Sequence, residues 1–174
     1  MFLSVKEMEL RKVRFDVSFE PGRIDFSGAL LEQVSPLRAT GVAELVPHSE
    51  REVRIEGQYN VEMTAECDRC LGRARFPMEG KLDLYYRPSS VIARNEEVEI
   101  GEEETEVGFY VGGGLELEDI LREQVLLGLP MQRVCSELCK GICPVCGRNR
   151  NETECGCKPE TADNRWGALR DLAR

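Results

Sequence analysis

The sequence predicts an α+β protein with a mostly antiparallel β-sheet, long hairpins, one packed helix and a cysteine-rich C-terminal tail. Two long stretches alternate apolar and polar residues with period two, on either side of a short connection. A stretch near residue 120 repeats apolar residues at helical spacing. Six of the eight cysteines crowd into CSELCKGICPVCGRNRNETECGC, Cys135 to Cys157, and the other two form a CxxC at Cys67 and Cys70. These features divide the chain into a β-rich domain with its covering helix over residues 1–130 and a cysteine-rich tail over 131–174, with a short terminal helix.

Val13, Phe15, Val17 and Phe19 alternate with polar residues and predict a half-buried strand. Pro21-Gly22 turns the chain, and Ile24 and Phe26 suggest a second short strand. Pro36 excludes a long helix over 28–40. A strand is expected over Gly41 to Val46, ended by Pro47. Over 53–67 the odd positions are apolar: Val53, Ile55, Tyr59, Val61, Met63, Ala65 and Cys67, with Gly57 the interruption. The phase then switches, and Ala74, Phe76, Met78, Leu82, Leu84 and Tyr86 alternate with charged residues. Two such runs predict an antiparallel hairpin with the CxxC at its tip. Pro77 and Gly80 suggest a bulge or an edge in its second strand.

Seven glutamates crowd residues 96–106, which reads as a solvated loop or as a docking strip for a basic partner. Val107–Val111 is one more expected strand. Leu115–Leu127 is the expected helix, with Leu117, Ile120, Leu121, Gln124, Val125 and Gly128 along one stripe and Gly128-Leu129-Pro130 at its end. In the tail, Trp166, Leu169 and Leu172 suggest a helix within 162–173 that docks back on the domain.

Charged residues make up 32% of the chain and the net charge is −9, unlike the basic footprint usual for nucleic-acid binders. No apolar run approaches the ~20 residues a membrane span needs. The first residues lack the apolar core of a secretory signal, so a cytoplasmic location is expected. In that compartment eight cysteines favour metal over disulfides.

Cys143-Pro-Val-Cys146-Gly147 has the form of a zinc knuckle, two thiolates gripping one ion while Gly147 permits a tight bend. Cys155 and Cys157 can close the tetrahedron, and four thiolates leave no open position for water. Cys135 and Cys139 would share a face of a helical turn. Three partitions remain open on spacing alone. Cys67 and Cys70 can complete a site with Cys135 and Cys139, they can remain a redox-active pair, or Cys135 and Cys139 can join Cys155 and Cys157. One or two zinc ions are thus expected.

No catalytic residues are expected. The single histidine, His48, lies near no motif, and there is no nucleophile triad, phosphate-cradling glycine loop or His-Glu pair. Arg69, Arg73 and Arg75 flank the first CxxC, and Lys140, Arg148 and Arg150 flank the knuckle. If the cysteines meet in space these six form a local basic rim able to contact phosphates or a partner, or they offset thiolate charge.

With CDRCL at 67–71, the helix followed by Leu129-Pro130-Met131, the six-cysteine stretch and the closing DNRWGALRDL on the page, the chain resembles the YceD-like family of large ribosomal RNA subunit accumulation proteins. Asn164 stands where that family's terminal motif usually has proline. The resemblance runs from the hairpin to the C-terminus. It implies a cytoplasmic factor in ribosome biogenesis that supports accumulation or processing of large-subunit ribosomal RNA. No catalytic activity is established for that family, and neither a membrane nor a small-molecule substrate is expected as a partner. The partner would be a ribosomal RNA precursor or a ribosomal protein, and the chain's acidity favours the protein. Some family members lack the last four cysteines, which favours Cys67, Cys70, Cys135 and Cys139 as one site and Cys143, Cys146, Cys155 and Cys157 as another. The rival expectations are a thiol redox or metal-transfer protein using Cys67 and Cys70, and a generic interaction module stabilised by zinc.

Overall fold

A computed structural model describes residues 1–90 and 107–158. The acidic stretch over 95–106 and the terminal helix expected within 162–173 lie outside the described residues. The main sheet contains β2 (Val13–Phe19), β3 (Glu32–Gln33), β4 (Leu37–Leu45), β5 (Val53–Glu66), β6 (Arg73–Pro88) and β7 (Val107–Tyr110). Its order is β2-β4-β5-β6-β7, with β3 pairing β5 beyond the end of β4. All pairs are antiparallel except β6 with β7. A second, two-stranded sheet joins β1 (Phe2–Ser4) to β8 (Gly114–Glu116). Between β1 and β2 lies a single helical turn, α1 (Val5–Met8), and after β8 comes α2 (Leu117–Leu127). The fold is thus α+β, with a mostly antiparallel sheet, one packed helix of several turns and a cysteine-rich C-terminal segment.

The β5–β6 hairpin is the spine. Its register runs unbroken from Val53↔Tyr86 to Glu66↔Arg73, so the expected bulge at Pro77 and Gly80 is absent. Pro77 instead lies in the part of β6 that has β5 as its only strand neighbour among the described residues, where a missing N–H costs no ladder bond. Gly80 has a different cause. It faces Tyr59 across the hairpin, and a Cβ there would come within 2.5 Å of the ring. Phe15 over Gly41 and Tyr86 over Gly108 repeat the arrangement in other strand pairs, again at 2.5 Å. An aromatic ring laid over a glycine fills the missing side chain and lets the sheet curl around its core.

The alternation read from the sequence decides what is buried. Val53, Ile55, Tyr59, Val61 and Met63 of β5 join Met78, Leu82 and Tyr86 of β6 in one core cluster. Leu117, Ile120, Leu121 and Val125 of α2 enter the same cluster, and the Tyr59 hydroxyl donates to the Gln124 carbonyl at 3.0 Å. The helix starts two residues later than its apolar pattern suggests, because Gly114–Glu116 are drawn into pairing with Phe2–Ser4. Ile24 and Phe26 are buried, as their spacing suggests, but form no strand. Asp25 Oδ1 accepts the Ser27 N–H at 2.9 Å, and the chain turns into a 3-10 helix at Ser27–Ala29. The strand expected from Gly41 starts at Leu37, directly after Pro36.

Candidate metal centres

Two groups of four cysteines assemble, each with its sulfur atoms within 4.8 Å of one another. Cys67, Cys70, Cys135 and Cys139 form the hairpin centre, and Cys143, Cys146, Cys155 and Cys157 form the tail centre. All eight cysteines are free thiols. Hairpin pairing places the first CxxC. β5 and β6 remain in register up to Glu66↔Arg73, and the Cys67 N–H bonds to the Gly72 carbonyl at 2.7 Å. The six-residue tip therefore projects two sulfurs beyond the end of the sheet.

Asp68 and Arg69, the residues inside that CxxC, draw the tail across. Asp68 N–H donates to the Arg133 carbonyl at 2.8 Å, and Arg133 N–H donates to Asp68 Oδ2 at 2.6 Å. The Arg69 guanidinium donates to Gln132 Oε1 at 2.9 Å and to the Glu137 carbonyl at 3.3 Å. The Ile142 N–H reaches the Arg69 carbonyl at 2.8 Å. Cys135 and Cys139 are thereby delivered to the hairpin without the helical turn their spacing suggested. The segment is irregular, with a turn at residues 137–138. Cys67, Cys70, Ala74 and Cys139 form a small core of their own, with Val134 against it.

The geometry fits a tetrahedral thiolate site. A Zn–S bond of about 2.3 Å sets the tetrahedral edge near 3.8 Å. In the hairpin centre Cys67 Sγ lies 3.9 Å from Cys139 Sγ, and Cys70 Sγ lies 3.7 Å from Cys135 Sγ. The two centres begin with the same knuckle. Leu71 N–H bonds to the Cys67 carbonyl at 2.9 Å, and Gly147 N–H bonds to the Cys143 carbonyl at 2.8 Å. The residue after each second cysteine is left-handed, Leu71 at φ 60° and Gly147 at φ 71°.

Without a cation, four adjacent thiols cannot share charge evenly. Burial pushes Cys67 up, but the backbone N–H groups of Arg69, Cys135 and Cys70 outweigh it and hold the thiol down at about 6. Hydrogen bonding with Cys139 and Cys70 pushes Cys135 up to about 12. In the tail centre the backbone N–H groups of Cys146 and Val145 bring Cys143 down to about 6, while Cys146 pushes Cys157 up to about 12. In each centre some thiols are thus held below the ordinary range and others above it, with Cys139 also held down by the Asn151 amide. A divalent ion removes this conflict by stabilising all four thiolates together.

The basic residues are dispersed in role. Arg69 is spent on the tail clamp. Arg73 pairs with Glu32 at 2.7 Å, Arg75 with Glu62 at 3.8 Å, and Lys140 with Glu154 at 4.0 Å. Arg148 and Arg150 are exposed, with side chains that make no polar contact among the described residues. Asp68, Asn149 and Asn151 were not singled out by sequence reasoning, yet they tie the segment together. The signal available was polar residues inside the CxxC and within the loop between Cys146 and Cys155.

Comparison with known proteins follows the same residues. The profile of a family described as large ribosomal RNA subunit accumulation protein YceD matches residues 55–173, from β5 through both centres. An uncharacterized protein of Mycobacterium tuberculosis is 32% identical over 164 residues, covering 90% of this chain and 72% of its own. The uncharacterized protein YlbN of Bacillus subtilis is 24% identical over 172 residues, covering 97% and 92%. The large ribosomal RNA subunit accumulation protein YCED homolog 1, chloroplastic, of Arabidopsis thaliana is 33% identical over 58 residues, covering 33% of this chain and 18% of its own. No solved structure matches.

Proposed function

The chain belongs to the YceD family of large ribosomal RNA subunit accumulation proteins, and from that premise we propose that it is a non-enzymatic ribosome-biogenesis factor. It supports accumulation of large-subunit ribosomal RNA by binding a ribosomal RNA precursor or a ribosomal protein. Both centres hold zinc, and the zinc is structural. The observation that carries this reading is the hairpin centre. Cys67, Cys70 and Cys139 are at most 8% exposed, and a full set of four thiolates converges on one point. Such a ligand set leaves no coordination position for substrate or activated water. What zinc supplies there is a crosslink between the tail and the hairpin tip. The only histidine, His48, sits in the β4–β5 connection, apart from both centres.

Arg148 and Arg150, whose side chains make no polar contact among the described residues, are the ones we assign to phosphate or carboxylate contacts. The chain's net charge of −9 favours a basic protein over naked RNA as the main partner. The factor works in the cytoplasm. No helix among the described residues is long and apolar enough to cross a membrane.

Crosslinking in growing cells, with RNA and protein partners identified together, tests the reading. Large-subunit ribosomal RNA precursors or ribosomal proteins are expected among the crosslinks, and their absence would sink it. Metal analysis tests the zinc. Two ions per chain and no titratable thiols are expected, whereas one ion with a reactive Cys67–Cys70 pair would favour thiol chemistry instead.

A further inference from the structure

We infer that the two centres are coupled through Asn151, so that metal in the tail centre tightens metal binding in the hairpin centre. The inference rests on the reading that both centres hold zinc. Only residues 140–142 separate Cys139, the last ligand of one centre, from Cys143, the first of the other. The loop between Cys146 and Cys155 folds back onto this short link. Cys143 N–H bonds to the Arg148 carbonyl at 2.8 Å, Arg150 N–H bonds to the Gly141 carbonyl at 2.9 Å, and Ile142 and Asn149 form a β-bridge. Asn151 then reaches past the link into the other centre. Its Nδ2 donates to Cys139 Sγ at 3.3 Å.

The amide can point only one way. Its Oδ1 accepts the Lys140 backbone N–H at 2.8 Å, and that N–H has no accepting form, so Nδ2 must face the sulfur. Asn149 Oδ1 takes both the Asn151 N–H, at 3.0 Å, and Asn151 Nδ2, at 2.9 Å. Asn149 Nδ2 is tied in turn to Glu152 Oε1 at 2.8 Å. The donor is therefore held in place by its own loop. That loop is closed at its two ends by Cys146 and Cys155, both in the tail centre. Metal binding there fixes the loop ends, which fixes Asn151, which supplies a hydrogen bond to a thiolate of the hairpin centre. A group that orients and neutralises a ligand in this way commonly changes metal affinity about 10–100-fold. The coupling is reciprocal, because linkage between two binding equilibria has to be.

The test uses the full chain loaded with Zn²⁺ and challenged with a chelator. Alkylation of each cysteine is followed by mass spectrometry, so that loss of metal is read centre by centre. In the variants N151A and C155S/C157S, alkylation of Cys70 and Cys139 should be about tenfold faster than in the parent chain. Combining N151A with C155S/C157S should add nothing further, since both remove the same link. Unchanged protection of Cys70 and Cys139 in C155S/C157S would overturn the inference, as would effects that multiply in the combined variant. A purely structural role for Asn151 is separated by Co²⁺ substitution. Loss of an N–H donor to a thiolate moves the sulfur-to-cobalt charge-transfer band to lower energy, and N151A should show that shift. An unshifted band would overturn the role of Asn151. Metal content of the parent chain keeps the two readings apart. Fewer than two ions per chain would defeat the two-zinc reading and the coupling with it, whereas two ions with independent release would defeat the coupling alone.

Discussion

The sheet with α2 and the segment from Met131 to Lys158 achieve burial by different means. In the first, apolar side chains from β2, β4, β5, β6 and α2 close on one another in a continuous core. In the second, Met131, Leu138 and Val145 are exposed, and the buried side chains are Cys139 and Cys143. Its hydrogen bonds are many but local, or run to Cys67, Asp68, Arg69 and Cys70 at the hairpin tip. The first region is held by the hydrophobic effect, which needs nothing from outside. The second has sulfur where a core would be, so on the proposed two-zinc reading its order depends on an ion. The hairpin cysteines stand between the two, positioned by the first region and used by the second.

Removing metal is the strongest way to break this contrast. Structural zinc sites in small peptides supply an apparent ~10–16 kcal/mol at neutral pH. A strong chelator should abolish hydrogen-exchange protection of backbone amides over residues 133–151 and leave protection in β5 and β6 in place. Loss of protection in both regions together would show that the sheet is not self-sufficient. Single-ligand variants divide the effect. C67S should drop the metal content by one ion and free the tail from the hairpin, lowering Tm by roughly 2–4 °C for each kcal/mol lost. C157S, at an exposed ligand, should also cost one ion but lower Tm by less than C67S does, acting only through the weakened hairpin centre.

The converse substitution lies in α2. Leu121 is fully buried in the main core, and L121A should cost about 2–5 kcal/mol by denaturant unfolding. Metal content at low denaturant should stay at two ions, because Leu121 belongs to the main core rather than to the small cluster around Cys67.

The same contrast explains what could be read from the sequence. Strands β5 and β6 were legible because a half-buried hairpin writes period two into both runs, and α2 because its buried stripe repeats at helical spacing. The pairing of β1 with β8 was not legible. Three residues are too few to show a period, and their partners lie more than a hundred positions away. Ile24 and Phe26 gave a true burial signal and a false strand signal, since Asp25 captures the backbone between them. For the cysteines, spacing left three partitions open, and what separates them in the structure is topology. The hairpin tip and the clamps at Asp68 and Arg69 bring Cys135 and Cys139 to Cys67 and Cys70. Asn151 has no pattern at all, because a single donor to a sulfur leaves no periodic trace.

The smallest effect lies in the two knuckles, which share a hydrogen bond and a left-handed residue but differ in what occupies it. Gly147 takes φ 71° freely, while Leu71 holds φ 60° with a side chain that is 57% exposed and so gains little from packing. A left-handed conformation costs an L-residue with a Cβ about 1–2 kcal/mol, and glycine returns part of that gain as extra freedom in the unfolded chain, about 0.5–1 kcal/mol. L71G should therefore leave stability unchanged or raise it by up to about 1 kcal/mol. G147A should weaken the tail centre by about 1 kcal/mol, because the strain is added with no contact to offset it, no atom beyond the adjoining residues lying within 4 Å of the Cβ position. Chelator competition for the tail metal and denaturant unfolding of the sheet measure the two separately. If L71G instead destabilised the protein by 2 kcal/mol or more, the exposed leucine would be contributing packing at the hairpin tip, and the buried centre would owe its order to apolar contact as well as to sulfur.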